Sequence, residues 1–454
     1  MKTLIIGGAG LTGLSAAWFY RQKFPDHRII LTDPDSQPGG NLRSEWRGEF
    51  LFEYGPRGVL KNAHAFFHLL HSSGAWDKLK PGRKTASIRF LWYKGRMHQL
   101  GGNPLAMLTN IELLKLIPAL LRETSVPPGQ LEDESIYDFF SRRIGQAATD
   151  FLVDGFITGV WAGDSRQLSI RSAFPTIWAA EKAAGSIRKG LKATRDQRKA
   201  DQLKQLSDFP HPDPGPARFF SLRDGIQSIA SHLITAARLQ FHPNSTISEI
   251  TPAGSQSEVT LADGTVLMAD QVVLTGKATS TASVVEHLNP TLAGLLRSVT
   301  YAPVTVVNLG YPSIRKPASG FGFLIPSAEK STILGIIYNS GTFEGVAPPG
   351  GACFTVMFGG AHHPTIGQRS DADLISMARE AMSGYLGIQE TPTELGIRRW
   401  ESAIPQYRVG HDLLIDRIRQ EAISLKGIHL LGNWSGGIGV NDCVASAARW
   451  ARSL

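Results

Sequence analysis

Cysteine is scarce in this chain, and long apolar runs are missing. The two cysteines, Cys353 and Cys443, are far apart and form no CxxC spacing, so the sequence indicates neither a disulfide framework nor a metal site. No apolar run reaches the roughly 18 residues that a membrane-spanning helix needs. The first predicted strand begins at residue 2, which leaves no room for a signal or transit peptide. We therefore expect a cytoplasmic protein, in a reducing compartment, that does not span a membrane.

Basic residues exceed acidic ones by +8, and the excess is unevenly distributed. Between Glu181 and Lys204, eight basic residues face three acidic ones, a local net charge of +5. This stretch is either a solvated helix face or a surface for anionic lipid headgroups. No aromatic side chains are interleaved with the charges, so nucleic-acid binding is not expected.

The order of predicted elements indicates an α/β protein, and 454 residues suffice for two or three domains. From 103 to about 206 the pattern is helical, with apolar residues at 105–108 among others, and the proline-rich loop 210–216 closes this stretch. The other predicted elements are a helix over 63–76, a hairpin of strands 87–92 and 95–100, a helix opened by 219–225, strands from 236 to 275, a mostly antiparallel sheet over 300–360, and a last strand at 428–431.

The strongest local signal lies at the start of the chain. An apolar strand at 2–6 leads into Gly8, Gly10 and Gly13 in the spacing G-x-G-x-x-G, and a helix follows. The three glycines allow a tight turn, a close backbone approach to a pyrophosphate, and close packing of helix on strand. A second predicted strand ends at Asp33, twenty residues after Gly13, where a carboxylate can bind a ribose hydroxyl. The combination predicts a dinucleotide site and not a merely structural turn.

The C-terminal end of the chain supplies a second candidate anion site. The last predicted strand runs into a glycine-rich segment, after which a helix begins near Asn441 and Asp442. Both are good capping residues, so the positive end of this helix is predicted to face an anion.

Residues after Asp33 decide between NAD and FAD. Gly39 and Gly40 lie in a segment that resembles the second glycine signature of the FAD-dependent amine oxidase and protoporphyrinogen oxidase superfamily. The segment 52–58 is similar to one that passes beside the flavin in the same enzymes. If Gly39 and Gly40 are considered without the segment 52–58, the alternative interpretation is an ordinary turn.

With these segments, the chain resembles the oxygen-dependent protoporphyrinogen oxidases nearly from end to end. Four further blocks carry the likeness in the family's order, at 159–175, 320–327, 400–411 and 437–443. The resemblance implies a Rossmann-like FAD-binding domain, an antiparallel-sheet substrate domain and an inserted helical domain. The FAD-binding domain would comprise 1–60, 217–290 and 401–454, the substrate domain 61–102 and 291–400, and the helical, membrane-associating domain 103–216.

The resemblance also assigns site residues by position. Arg89 would pair with a substrate propionate, a role that suits a guanidinium because it binds carboxylate through two parallel hydrogen bonds. Phe321, Gly322 and Leu324 would lie against the tetrapyrrole. The alternative for Arg89 is an ordinary surface arginine. The alternative for the other three residues is ordinary core packing. The implied FAD site consists of Gly8, Ala9, Gly10, Leu11, Thr12, Gly13, Asp33, Gly39, Gly40, Asn41, Gly55, Pro56, Arg57, Gly58, Ile247, Trp400, Gly439, Val440 and Asn441.

Four positions depart from the family pattern. Asp33 replaces the usual glutamate, which keeps the acceptor but shortens its reach. Asn41 replaces a bulky or basic residue, and Asp224 replaces a glycine. Phe323 occupies a variable site and could alter which porphyrinogen fits.

The implied reaction is oxidation of protoporphyrinogen IX to protoporphyrin IX in haem biosynthesis, with dioxygen reoxidising the flavin and giving hydrogen peroxide. The cofactor supplies the difficult chemistry, so no catalytic side chain is assigned, and His98 and His411 are poor candidates for a base. The expected partners are a tetrapyrrole, dioxygen, a cytoplasmic membrane surface and a second copy of the chain.

Other functions stay open at this point. The nearest is coproporphyrinogen III oxidation by the same fold, for which four substrate carboxylates would need additional cations. An amine oxidase or a carotenoid desaturase would share the FAD cradle but should lack the blocks at 159–164 and 320–327. A flavin-binding scaffold without turnover is a further alternative.

Overall fold

The computed structural model describes residues 2–101, 111–315 and 318–454. Within these ranges the protein is an α/β fold with one parallel sheet, one large, mostly antiparallel sheet and a helical region, which confirms the predicted fold class. Residues 103–110, the first part of the predicted helical stretch, lie outside the described residues.

Strands and helices are numbered in chain order over the described residues. The strands are β1 Thr3–Gly7, β2 Arg28–Thr32, β3 Ser44–Arg47, β4 Phe50–Glu53, β5 Val59–Leu60, β6 Leu79–Pro81, β7 Arg89–Tyr93, β8 Arg96–Gln99, β9 Phe219–Leu222, β10 Gln240–His242, β11 Ile247–Ala253, β12 Gln256–Leu261, β13 Val266–Ala269, β14 Gln271–Leu274, β15 Tyr301–Tyr311, β16 Gly322–Leu324, β17 Ile333–Tyr338, β18 Ala352–Gly359, β19 Glu394–Pro405 and β20 Ile428–Leu430. The helices are α1 Leu11–Lys23, α2 His64–Ser72, α3 Ile111–Arg122, α4 Ile136–Ile144, α5 Gln146–Ala148, α6 Asp154–Trp161, α7 Ile170–Ala173, α8 Pro175–Ala184, α9 Ile187–Ala193, α10 Arg195–Asp208, α11 Ser228–Ala236, α12 Ala278–Val285, α13 Pro290–Arg297, α14 Asn339–Thr342, α15 Asp371–Leu386, α16 His411–Ala422, α17 Asn433–Gly436 and α18 Val440–Ser453.

The parallel sheet is assembled from distant parts of the sequence in the order β10-β2-β1-β14-β20. Successive residues of β1 point to opposite faces: Leu4 and Ile6 pack in the core that contains α1 and α18, and Ile5 packs in the core that contains α12 and α13. Burial on both faces explains why this strand is continuously apolar. The prediction that residues near 272–275 rejoin this sheet is confirmed by β14.

The large sheet has the order β19-β15-β18-β17-β16-β7-β8 and is antiparallel except where β16 pairs with β7. The predicted hairpin near 87–100 is confirmed as β7 and β8, and it extends this sheet. The pairing of β7 with β16 brings the hairpin beside the segment 320–327.

Helices occupy most of the described residues from 111 to 208, and a buried ion cluster holds several of them together. The fully buried guanidinium of Arg143 pairs with Glu181 and donates to the carbonyls of Val126 and Gly185. Nearby, the Glu123 carboxylate accepts from the Ile187 amide at the start of α9. None of the described helices is both long and apolar enough to cross a bilayer.

Two local predictions were wrong. The residues 219–222 form strand β9 and do not open a helix, because they pair with the distant strands β5 and β6. The last helix begins at Val440, close to the predicted start, and Asp442 takes part in its N-terminal cap as predicted, but the Asn441 side chain does not cap it. Instead, Asn441 Oδ1 accepts from the amides of Ala65 and Phe66 at the start of α2, while Asp442 accepts from the Gly439 amide.

Three of the implied domain boundaries fall at or inside a helix or strand, and the boundary at 60 is the end of β5. The boundary at 290 coincides with the start of α13, and the boundary at 400 lies inside β19, which runs on to Pro405.

A buried carboxyl ties β4 to the segment before α11. Glu53 is 6% exposed, with Oε2 accepting from the Ser44 hydroxyl at 2.6 Å and Oε1 accepting from the Ile226 amide at 2.9 Å. Burial raises the pKa of the Glu53 carboxyl to about 7, because the two hydrogen bonds and the charge of Arg57 offset the desolvation only in part.

This pKa predicts a pH-dependent stability. Between the unfolded-state pKa of roughly 4.5 and the folded-state pKa of about 7, the native state binds more protons than the unfolded state. The free energy of unfolding should therefore fall by up to about 3 kcal/mol as the pH rises through this window. Glu53→Gln should remove that decline in urea unfolding at pH 5 and pH 8, whereas Glu249→Gln, at an exposed position on β11, should keep it. An unchanged slope in Glu53→Gln would refute the assignment.

Candidate cofactor and active site

A cleft of about 600 Å³ lies at the carboxyl ends of β1, β2 and β14. Ligands in open α/β sheets bind at this edge. Twelve of the predicted cofactor residues line it: Gly8, Gly10, Leu11, Thr12, Asp33, Gly39, Gly40, Asn41, Pro56, Ile247, Trp400 and Val440.

The two glycine turns meet in this cleft. Gly10 and Gly39 form an isolated parallel bridge, and the Gly39 amide donates to the Ala9 carbonyl at 2.8 Å. A Cβ on Gly40, whose φ is +57°, would lie 2.9 Å from Gly10 Cα. A Cβ on Gly10 would meet no protein atom nearer than 3.9 Å. The protein therefore has room for a side chain at Gly10, and the free space belongs to the cleft.

Asp33 closes one side of the cleft. It is 6% exposed, and its carboxylate accepts from the Ala9 amide at 2.6 Å and from the Asp35 amide at 2.9 Å. Burial raises the pKa of Asp33, and the two amides partly offset this shift. A carboxylate has about four lone-pair positions, so further acceptor capacity is available for a ribose hydroxyl.

The N-termini of two helices border the same space. Leu11 and Thr12, in the first turn of α1, line the cleft, and Gly10 supplies no side-chain cap there. Val440, the first residue of α18, lines it as well. The positive ends of both helices favour an anion such as a diphosphate.

Orphaned hydroxyls also mark the cleft as a polar binding site. Thr32, Ser245 and Thr281 line it, and their buried hydroxyl oxygens have no hydrogen-bond partner among the described residues. Buried polar groups are usually paired, so these unsatisfied groups fit a site that takes a polar ligand. Free space at Gly10, the two helix ends and Asp33 together suit a dinucleotide.

The remaining predicted cofactor residues lie behind the cleft wall. The close packing of Gly13, Gly55 and Gly58 leaves no room for side chains, because a Cβ would come within 1.9–2.2 Å of the carbonyl oxygens of Gly8, Asn41 and Phe220 respectively. Ala9, Gly439 and Asn441 hold the backbone through the hydrogen bonds given above. Arg57 turns away from the cleft and donates to Asn339 Oδ1 at 2.8 Å.

The predicted substrate residues do not line this cleft but cluster on the large sheet. Arg89 on β7 is the register partner of Gly322 on β16, and its guanidinium lies 5.1 Å from the centre of the Phe321 ring. Burial lowers the pKa of Arg89. Leu324 is at the other end of β16 and packs against Gly159 of α6.

The separate blocks that carry the family resemblance meet in space. Leu324 contacts Gly159, and Asp154 at the start of α6 accepts from the Ser327 amide at 2.7 Å. Gln406 donates to the Trp161 carbonyl at 3.0 Å. The helical region is thus bonded to the large sheet at two places, the segment after β16 and the residue after β19.

Neither histidine considered as a base lies in the cleft. His98 is buried on β8 with Nε2 3.0 Å from the Tyr93 carbonyl oxygen. His411 stacks on Tyr407 and has Nε2 2.9 Å from the Trp434 carbonyl oxygen. Burial lowers the pKa of His411, in keeping with a structural role.

The residues after β14 were not identified from the sequence as part of the cleft. Thr275, Gly276 and Lys277 follow β14 and line it, and the Thr275 hydroxyl lies 3.0–3.1 Å from the carbonyl oxygens of Gly7 and Gly8. Their position after a strand predicted to join the parallel sheet was the available signal. Arg398 was also missed, and it lies over the Trp400 ring at 4.6 Å.

Comparison with known proteins identifies the family. The family model for flavin containing amine oxidoreductases matches residues 11–454. Protoporphyrinogen oxidase of Homo sapiens is 31% identical over 486 residues, covering 100% of this chain and 98% of the human protein. Coproporphyrinogen III oxidase of Bacillus subtilis is 24% identical, covering 98% of this chain and 96% of the relative.

Solved structures agree on the fold. A structure from Exiguobacterium sp. 255-15 matches with a TM-score of 0.81 at 24% identity, covering 100% of this chain and 98% of the other. Reduced UDP-galactopyranose mutase matches with a TM-score of 0.74 at 16% identity, covering 99% and 95%. From the full-length family match, and from a cleft built for a dinucleotide, the chain belongs to the flavin-containing amine oxidoreductases and is an FAD-dependent oxidase.

Proposed function

We propose that the protein oxidises protoporphyrinogen IX to protoporphyrin IX in haem biosynthesis, with dioxygen as the acceptor and hydrogen peroxide as the second product. Full-length relatives named protoporphyrinogen oxidase, from mammals and from plants, support this activity. The observation that carries it is the Arg89 guanidinium, which has no carboxylate partner among the described residues and lies over an aromatic ring. A tetrapyrrole offers a propionate to the guanidinium and an apolar macrocycle with pyrrole rings to the aromatic side chain.

The chain's own residues bind and orient in this mechanism. FAD, when bound, supplies the electron acceptor. Gly10 and the start of α1 would hold its diphosphate, and Asp33 would bind a ribose hydroxyl. Arg89 would fix a propionate so that the macrocycle lies across Phe321, which excludes water from one face. Leu324, packed on α6, would complete that wall.

We propose the domain division implied by the resemblance, with the last FAD-binding segment beginning after β19 and not within it. The parallel sheet draws its strands from the three stretches assigned to FAD binding. The large sheet draws its strands mainly from the two stretches assigned to the substrate.

Coproporphyrinogen III is the second candidate substrate, favoured by the relative from Bacillus subtilis. Its four carboxylates would need more cations than Arg89 alone. The discriminating experiment follows porphyrin fluorescence in air with each porphyrinogen in turn. Faster turnover of protoporphyrinogen IX supports the first proposal, preference for coproporphyrinogen III moves the protein to the second, and no turnover of either by FAD-loaded protein overturns both.

Gly10→Ala should separate cofactor binding from folding. The added methyl meets no protein atom within 3.9 Å, so the apoprotein should melt within about 2 °C of wild type, yet the methyl occupies the phosphate space and should weaken FAD binding about ten-fold or more. Gly13→Ala is the contrast, since its methyl would lie 2.0 Å from the Gly8 carbonyl oxygen and should lower the melting temperature itself. Equal FAD affinity in Gly10→Ala and wild type would contradict the proposed phosphate position.

Arg89→Met should raise KM for the porphyrinogen about ten- to a hundred-fold, because a charge-assisted bidentate pair is lost, and should change kcat little. FAD content should stay the same, since Arg89 does not line the cofactor cleft. Arg96→Met, at another exposed position of the same hairpin, is the matched control and should leave KM unchanged. Steady-state fluorescence kinetics measure both, and a wild-type KM in Arg89→Met would remove Arg89 from the substrate site.

We also propose that the helical region attaches to the cytoplasmic face of a membrane. Leu114, Ile117 and Leu121 form an exposed apolar stripe on α3, at helical spacing. Glu123, just after α3, bonds to the start of the basic helix α9. Apolar and basic surfaces on adjoining elements suit an anionic lipid interface.

Flotation with vesicles of phosphatidylcholine and phosphatidylglycerol tests this attachment. The protein should float at low salt and be partly released at high salt, since the charge contribution is screened. Replacing Arg188, Lys189 and Lys192 by glutamine should reduce flotation, whereas the same change at the exposed lysines Lys84, Lys330 and Lys426 should not. No flotation of wild type at low salt would refute the proposal.

A further inference from the structure

Arg57 lies next to the cofactor cleft, but its side chain makes its hydrogen bond on the other side, inside the protein. Its neighbour Pro56 lines the cleft, while the Arg57 side chain is 8% exposed and points into the protein. Burial lowers the pKa of Arg57 to about 10, so the guanidinium is still charged at neutral pH. Its Nη1 donates to Oδ1 of Asn339, which is 282 positions away in the chain.

Asn339 is the first member of a buried chain of side chains, here called the relay, that consists of Asn339, Thr355 and Asn308. Asn339 Nδ2 donates to Thr355 Oγ1 at 2.8 Å, and Thr355 Oγ1 donates to Asn308 Oδ1 at 2.5 Å. Asn308 Nδ2 then donates to the backbone carbonyl of Glu53 at 3.1 Å. The relay thus begins at Arg57 and returns to the chain four residues earlier.

All the hydrogen bonds of the relay run in one direction. Each of its three side chains accepts from the previous group and donates to the next, and Asn308 and Thr355 are fully buried while Asn339 is 5% exposed. In such a low-dielectric site, removing one member leaves the donor or acceptor of its neighbours unpaired. The relay therefore fixes one arrangement of the residues from Glu53 to Arg57.

We propose that the relay is a positioning element for the cofactor: through Arg57 and Glu53 it holds the segment 55–58 against the cleft, so that three side chains of the large sheet and α14 set the affinity for FAD. None of the three lines the cleft. The segment has little freedom on its cleft side as well, since Gly55 packs on the Asn41 carbonyl. The inference rests on FAD as the cofactor and is independent of the substrate.

Thr355→Val and Thr355→Ser provide the test. Valine removes the hydroxyl at nearly constant volume, and serine keeps it. FAD dissociation constants are measured on apoprotein by quenching of flavin fluorescence, together with the apoprotein melting temperature. Thr355→Val should bind FAD about ten-fold more weakly than wild type, and Thr355→Ser should stay within about three-fold.

Thr149→Val is the matched control. Thr149 is also fully buried and donates its hydroxyl to the Gly145 carbonyl at 3.1 Å, but it lies in the helical region. It should lower the melting temperature as Thr355→Val does, with FAD affinity unchanged. If Thr355→Val loses stability like the control yet binds FAD as wild type does, the relay only stabilises the fold and the proposal is wrong.

A second variant covers the case in which Thr355→Val does not fold. Asn308→Asp keeps the acceptor for the Thr355 hydroxyl but loses the donor to the Glu53 carbonyl. It should also weaken FAD binding about ten-fold, and wild-type affinity in this variant would overturn the proposal. Because FAD binding is measured without a porphyrinogen, a failure of the proposed substrate would not affect this result.

Discussion

The close approach of two backbone turns, at Gly10 and Gly40, is the constraint on which the rest of the structure depends. Because the Gly40 Cβ position is 2.9 Å from Gly10 Cα, a side chain at residue 40 would push the two turns apart. The amide of Gly39 and the carboxylate of Asp33 both bond to Ala9, so hydrogen bonds join the first turn, the second turn and the end of β2. These bonds hold the first glycine turn in place, and the G-x-G-x-x-G motif puts a diphosphate beside that turn.

The remainder of the chain returns several times to the cleft beside this turn. Strand β14 places Thr275 within hydrogen-bond distance of the carbonyls of Gly7 and Gly8, and α18 brings Val440 to the cleft from the far end of the sequence. The large sheet closes the opposite wall with Trp400, whose indole donates to the Tyr54 carbonyl at 2.7 Å. The first forty residues therefore form only part of the cleft, and elements hundreds of positions away in the sequence complete it.

Some features depend on neighbouring residues and others on distant partners, and this difference explains what the sequence could predict. Strands β1 and β2, the glycine turns and Asp33 are local features, and the structure places them where the motif requires. Strand β9 was missed because it exists only through pairing with β5 and β6. Asn441 looked like a cap of its own helix but caps α2, and the direction of Arg57 depends on Asn339. A local pattern cannot reveal partners that the tertiary fold supplies.

Three arginines, two buried and one exposed, show how the partners of a charge indicate its use. Arg143 pairs with a carboxylate and donates to backbone carbonyls, so its charge is fully compensated by groups inside the fold. Arg57 is paired with a neutral amide, which fixes its position but leaves its charge uncompensated by that contact. Arg89 is exposed on β7, its guanidinium lies over the Phe321 ring, and no carboxylate pairs with it among the described residues. An exposed guanidinium that no carboxylate of the protein occupies is free to form a bidentate pair with a carboxylate that a ligand brings.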